Sequence, residues 1–248
     1  MRKGLLIILS FILIFAVSAC KKMGFDNCFR NTGEIILQER EANEIHYVLL
    51  ENNVNLVVKQ DTVPSLRVEA GENIIDKVIT EVNGSNLYIR NENNCNWMRS
   101  YENEITVYLG IGKLDSLDYR GSGDVSSQNT IRNDSINISV WEGSGTIEMS
   151  LDVDKSSLNL HYGTVDMHFK GKSNVTYIYA SSYGPVYCEN LDSKFTYVNN
   201  RGTNDCYVRA SVALEVTIEY LGNIYYYGTP AIVKENVTGE GELIKLGN

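Results

Sequence analysis

A glycine followed two places later by an aliphatic residue recurs through the second half of the chain. The matches are Gly123–Val125, Gly145–Ile147, Gly163–Val165, Gly184–Val186, Gly222–Ile224 and Gly241–Leu243, and Gly202 joins the series with Asn204 in the aliphatic place. Successive glycines stand 22, 18, 21, 18, 20 and 19 residues apart. A fixed period of this length marks a unit that cannot bury its apolar face alone and must stack on copies of itself. Alternating runs precede most of the glycines, as in INISV (136–140), VTYIY (175–179) and LEVTI (214–218), and alternation with period two is the pattern of strands. Tyrosines repeat in step: Tyr187, Tyr207 and Tyr227 lie 20 apart, as do Tyr177 and Tyr197. The pattern predicts an all-β chain forming a right-handed parallel β-helix-like solenoid, with coils of about 20 residues stacked at roughly 4.8 Å. A β-sandwich is the alternative, because strands about 8–12 residues apart suit it too. A sandwich has no reason to hold glycine, aliphatic and tyrosine columns in register.

Side-chain alternation then sorts the faces. If the residue two after each glycine points inward, so does the residue four after it: Ser127, Met149, Met167, Cys188, Cys206, Tyr226 and Lys245. The column three after each glycine, with Glu148, Asp166, Tyr187, Asp205 and Tyr225, suits solvent. The last unit, GELIKLGN, departs from the pattern and is expected to form a cap over the final edge. Residues 33–110 are less regular, with alternating runs VNLVV (54–58), LRVEA (66–70), NLYIR (86–90) and ITVYL (105–109), and GENIIDKVIT (71–80) predicts one short helical turn. No linker separates 33–110 from the regular coils of 111–248, so 33–248 reads as one β unit.

The leader predicts an address. Arg2 and Lys3 precede the apolar run LLIILSFILIFAV from Leu5 to Val17, which ends in VSAC. That run suits a signal peptide and falls short of the roughly 20 residues of a membrane-spanning helix. VSAC resembles a bacterial lipobox, which implies cleavage after residue 19, lipidation of Cys20 and a tether over 20–32. The expected location is the cell envelope, held by lipid to the outer membrane, with the membrane face left open. Removing residues 1–19 takes away two basic and no acidic groups, leaving 20 basic against 31 acidic and a net charge of −11. Such a balance argues against nucleic acid as a partner.

Further on, ENIIDKVITEVNGSNLYIR, NNCNWMRSYENEITVYL, YRGSGDV, YLGNIYYYGTP and the closing GEGELIK occur in an order that resembles the head GIN domain. This domain of Bacteroidetes lipoproteins is named for the head of an auto-transporter adhesin. The resemblance spans roughly residues 40–245. It implies a β-helix-like fold on an envelope lipoprotein, and it brings no catalytic residues.

The residues themselves point to no catalytic, cofactor or metal site. GSGDV (121–125) lacks the helix that a phosphate loop needs at its end, and it recurs as GSGTI (143–147), so it reads as a corner. His46, His161 and His168 have no evident companions for a metal triad, and no CxxC spacing exists. Asp124, Asp152, Asp154 and Asp166 sit near successive turns, where aspartate suits the backbone. The same carboxylates, if clustered, would instead serve a polysaccharide lyase or hydrolase built on a β-helix. Cys188 and Cys206 share the expected inward column on adjacent coils, leaving open a disulfide or two buried thiols. In the first case Cys28 and Cys95 remain to pair with each other. Tyr207 and Tyr227, one coil apart and outward by parity, with Tyr187 nearby, are candidates for contact with a glycan or envelope protein. Cross-strand stacking that stabilises the sheet is the competing role. The reading that follows is a lipid-anchored, non-enzymatic surface for adhesion or binding. A polysaccharide-active enzyme and a purely structural component are the alternatives.

Overall fold

The computed structural model describes residues 31–94 and 104–247. The leader, Cys20, Cys28 and Cys95 lie outside the described residues. In the first half the strands are β1 (Ile35–Arg40), β2 (Tyr47–Asn52), β3 (Asn55–Gln60), β4 (Ser65–Gly71), β5 (Val78–Asn83), β6 (Asn86–Asn91) and β7 (Thr106–Ile111). There follow β8 (Ser116–Gly121), β9 (Val125–Ser127), β10 (Ile131–Val140), β11 (Thr146–Leu160), β12 (Asp166–Ala180) and β13 (Val186–Asn200). The last are β14 (Cys206–Arg209), β15 (Ala213–Ile218), β16 (Ile224–Tyr227), β17 (Ile232–Val237) and β18 (Leu243–Gly247). The expected helical turn is a 3-10 turn at Ile75–Lys77.

The chain is a β-solenoid of stacked parallel coils of about 20 residues, as the glycine repeat predicts. Each coil runs along a first face, turns at the glycine corner, continues along a second face, and bends through a short third face into the next coil. On the first face, β8, the end of β10, the ends of β11, β12 and β13, then β15 and β17 lie parallel in that order. On the second, β9, the starts of β11, β12 and β13, then β14, β16 and β18 do the same. The 15-residue strands β11 to β13 span the bend without a break.

Inward columns supply the core. On the first face Leu87, Val48, Leu117, Ile138, Leu158, Ile178, Val198 and Val216 form one continuous buried ladder. On the second, Val125, Ile147, Met167, Val186, Cys206, Ile224 and Leu243 form another. This register corrects the sequence alignment at two corners. At Gly163 and Gly202 the ladder residue comes four places after the glycine, not two, because each corner carries two extra residues. Asn204 is therefore part of a corner, and Cys206 takes the aliphatic place. Cys188 falls in the neighbouring column, so Cys188 and Cys206 do not stack as the sequence alignment has them. Both are buried free thiols.

The irregularity of the first half is one of threading. β2 lies parallel between β6 and β8, and β3 lies parallel between β7 and β9. The coil β2–β3 is thus inserted between two coils that follow it in sequence. β5 then pairs antiparallel with β6, and β4 and β1 add antiparallel outside β7. These strands cover the end of the stack where the described chain enters.

The buried polar side chains of Tyr119, Asn200, Ser156, Thr176 and Thr196 find partners. The Tyr119 hydroxyl, fully buried, donates toward Gly123 O (2.7 Å) and Ser144 O (2.6 Å), tying two successive corners together. Asn200 accepts from Gly202 N (3.0 Å) and donates to Asn204 O (3.0 Å), bracing the corner that follows it. A buried hydroxyl ladder runs through Ser156, Thr176 and Thr196 on the first face. Ser156 Oγ meets Thr176 Oγ1 at 3.1 Å, and Thr196 Oγ1 donates to Arg209 O at 2.7 Å.

The corner glycines are required less by turn conformation than by contact between coils. Gly184 has no left-handed φ, yet a Cβ there would lie inside the van der Waals shell of the Val165 carbonyl oxygen and touch Leu160 Cδ2 at 3.0 Å. Gly184→Ala is expected to cost about 2 kcal/mol of stability, as overpacking does. Urea unfolding followed by circular dichroism checks this.

Candidate functional site

Among the described residues no group of three or more His, Cys, Asp and Glu side chains could hold a metal ion. Three of the four turn carboxylates are engaged with neighbouring coils, and Asp166 is exposed. Asp124 accepts from Thr146 N (2.9 Å), Asp154 accepts from Asn174 Nδ2 (2.6 Å), and Asp152 lies 3.5 Å from Arg132. On the third face Arg132, Asp152, Lys172 and Asp192 occupy one column in alternating sign, and Arg209 Nε reaches Asp192 at 3.6 Å. Asp152, Lys172, Asp192 and Arg209 line a groove of about 630 Å³ whose charges are matched within the wall. His46 stands between Asp115 (3.4 Å) and Glu44 (3.6 Å).

The aromatic residues form two kinds of arrangement. On the second face His168, Tyr187, Tyr207 and Tyr225 occupy one outward column. Their ring centroids are 4.5, 5.2 and 4.9 Å apart and their planes lie within 15° of parallel. The spacing is that of the strands beneath, so each ring rests on the next. Ring faces are consumed within the ladder, and edges and hydroxyls meet solvent. Burial first, then Asp205 and the neighbouring tyrosines, raises the pKa of the Tyr207 phenol. Glu148 precedes His168 in the column, and its hydrogen bond from Lys170 (2.8 Å) holds its carboxyl below the ordinary range. A register shift between β12 and β13 just after His168 opens a depression of about 280 Å³ lined by His168, Lys170, Tyr187 and Glu189. Tyr227 departs from expectation: it pairs with Arg209, whose guanidinium lies 5.5 Å from the ring centroid, and Tyr225 continues the ladder instead. The cause is the extra pair of residues at the Gly202 corner, which a strict 20-residue count ignores.

The first face repeats the stacking with Tyr177 on Tyr197 (5.0 Å) beneath Lys155. Trp141 stacks on His161 (3.9 Å, 8°) near the corner. Burial lowers the pKa of His161, against the opposing pull of Asp118.

The glycine corner carries the second arrangement. Trp141, Tyr162, Tyr183 and Tyr220 are 43, 64, 59 and 51 % exposed. Among the described residues no aromatic ring packs on Tyr162, Tyr183 or Tyr220, and each is more than half exposed. Sequence reading missed this row, although its signal is present: an aromatic stands one or two places before the glycine in WEG, HYG, SYG and YLG. Corner rings are not spaced by the ladder, because each corner has its own length.

The family model described as "Putative auto-transporter adhesin, head GIN domain" matches residues 46–230. The chain belongs to this family. No curated protein matches it. Among solved structures, a putative adhesin from Bacteroides fragilis superposes with TM-score 0.76 at 17 % identity, covering 86 % of this chain and 97 % of that one. A putative adhesin from Parabacteroides distasonis gives TM-score 0.68 at 16 % identity, covering 86 % and 98 %. A structure from the same species named a putative lipid binding protein gives 0.61 at 18 %, covering 87 % and 98 %. At these identities the likeness is one of fold. Within the head GIN domain, no described helix is long and apolar enough to cross a membrane.

The two buried cysteines yield a test of the core beneath the ladder. Burial pushes the Cys206 thiol from its ordinary 9.0 up to about 12, and Cys188 well above 9.0. A raised pKa means that the folded chain favours the protonated thiol. Its contribution to stability is whole below about pH 9 and is lost as pH climbs through about 12. Between pH 8 and pH 11 the chain is expected to lose more unfolding free energy than Cys206→Ala does. Native alkylation at pH 8 should modify neither thiol, and alkylation in urea both.

Proposed function

We infer that this head GIN domain is a lipid-anchored envelope protein that presents its glycine edge as a non-enzymatic binding surface for a glycan or protein. The observation that carries the reading is the exposure of Tyr162, Tyr183 and Tyr220 at the Gly163, Gly184 and Gly222 corners, with no aromatic ring stacked on them among the described residues. Aromatic faces held on a rigid backbone stack on sugar rings or apolar side chains at low entropic cost. The family description and the names of two structural neighbours as adhesins support the same class of function. The lipobox at Cys20 supports anchoring. Engagement of Asp124, Asp152 and Asp154 with neighbouring groups speaks against a polysaccharide lyase or hydrolase.

A second reading applies to Tyr187, Tyr207 and Tyr225. Because their faces are stacked on one another, their role is to stiffen the second face. Their hydroxyls remain available at its surface.

A glycan array and an envelope-protein binding screen test the function. Tyr162→Ala and Tyr183→Ala are each expected to weaken binding about tenfold. Tyr207→Ala should lower the unfolding midpoint while leaving affinity within about twofold. Absence of saturable binding would remove the proposal, and so would turnover of a polysaccharide that one carboxylate substitution abolishes. For the anchor, metabolic labelling with palmitate should mark the chain and be lost in Cys20→Ser.

A further inference from the structure

The end of the stack formed by β17 and β18 differs from every other coil. Among the described residues β17 pairs only with β15 and β18 only with β16, so each offers one unpaired edge. All of β17 is exposed, including Ile232, Val233 and Val237, and so is Leu246 of β18. The expected cap is not seen: Leu243–Gly247 of that unit is β18, the last described strand of the second face.

Two charges stand where the core columns end. The first-face ladder that runs through Val198 and Val216 finishes at Glu235. On the second face, the column of Val208 and Tyr226 finishes at Lys245. Both therefore occupy inward positions in the last coil, one acidic and one basic, with Glu235 between the exposed Val233 and Val237. Inward charges on an edge strand oppose indiscriminate pairing. They also specify the surface that fits.

We propose that this end docks a second copy of the same chain, end to end, with β17 of each copy pairing antiparallel to β18 of the other. A two-fold axis through the glycine corner exchanges the first and second faces, so the contact closes on itself. Side chains that face each other across a ladder must share a side of the sheet. In the register that satisfies this rule and places Glu235 opposite Lys245, Val237 meets Leu243; beyond Lys245 the register of β18 shifts, and Gly247 brings no side chain against Val233. The symmetry makes two such Glu–Lys pairs and continues the apolar columns from one copy into the next. Pairing β17 with β17 of a second copy fails by the same parity. Lys234 points outward, bound 3.7 Å from Glu215, so Glu235 would face itself or a valine. An unmatched charge buried in that way opposes association. The two inward charges thus select the crossed arrangement over the self-paired one.

The test is a charge exchange, read by sedimentation equilibrium of the full chain in mild detergent. The wild-type chain is expected to form dimers at micromolar concentration. Glu235→Lys and Lys245→Glu, each of which sets like charges face to face, should weaken the dimer at least tenfold. The double variant, carrying both exchanges, should return to within about threefold of the wild type. Glu235→Gln should fall between. Because both side chains are exposed in the single copy, unchanged circular dichroism and melting separate lost association from lost folding. A wild-type chain that stays monomeric at all concentrations overturns the proposal. So does a dimer indifferent to the single exchanges, or one that the double exchange leaves broken.

Discussion

Every feature of this molecule rests on stacked coils whose backbones touch at the glycine corner. The strand repeat of about 4.8 Å leaves room for side chains inside and outside the coil. At the corner it leaves none, because the carbonyl of one coil points at the α-carbon of the next. This contact fixes where glycine must stand and which side chains line up in columns. It also determines that a change in one coil is transmitted to its neighbours. A solenoid gains its stability from such nearest-neighbour contacts, repeated along one dimension. The buried Tyr119 and Asn200 act on the same joint, spending polar groups on corner carbonyls and amides that water cannot reach.

The same constraint explains how far the fold was legible. The glycine period revealed coils, and alternation revealed their inner and outer faces, because both follow directly from local backbone geometry. Register was read less well. Gly163 and Gly202 begin corners longer by two residues, and a displacement of two preserves parity. Inward residues therefore remained inward while their partners changed. That is why Cys206 was matched with Cys188 rather than with Val186, and Tyr227 with Tyr207 rather than with Arg209. Parity protects the hydrophobic pattern, so the pattern cannot reveal the error. The insertion of β2–β3 between later coils was hidden for another reason: pairings over such distances depend on which edges remain free in three dimensions. The corner aromatics were visible as a motif, but their exposure depended on corner shape.

The aromatic columns show how one residue type takes two roles on one scaffold. Where the strand spacing sets the ring spacing, tyrosines stack on each other and their faces are lost to any ligand. At the irregular corner Tyr162, Tyr183 and Tyr220 stand without a stacked ring and more than half exposed. Counting tyrosines thus says little about binding, whereas asking what separates them says much.

The stack also has polarity. The described chain enters beside β1 and β5 and reaches its open edge only after all the coils have been laid down. A tether on that side, as the lipobox reading proposes, would hold the solenoid by one tip and leave the other standing roughly 45 Å away. Two copies meeting at that far tip would carry their tethers at opposite ends of a rod about 90 Å long. Such a rod would reach between two surfaces, one tether on each.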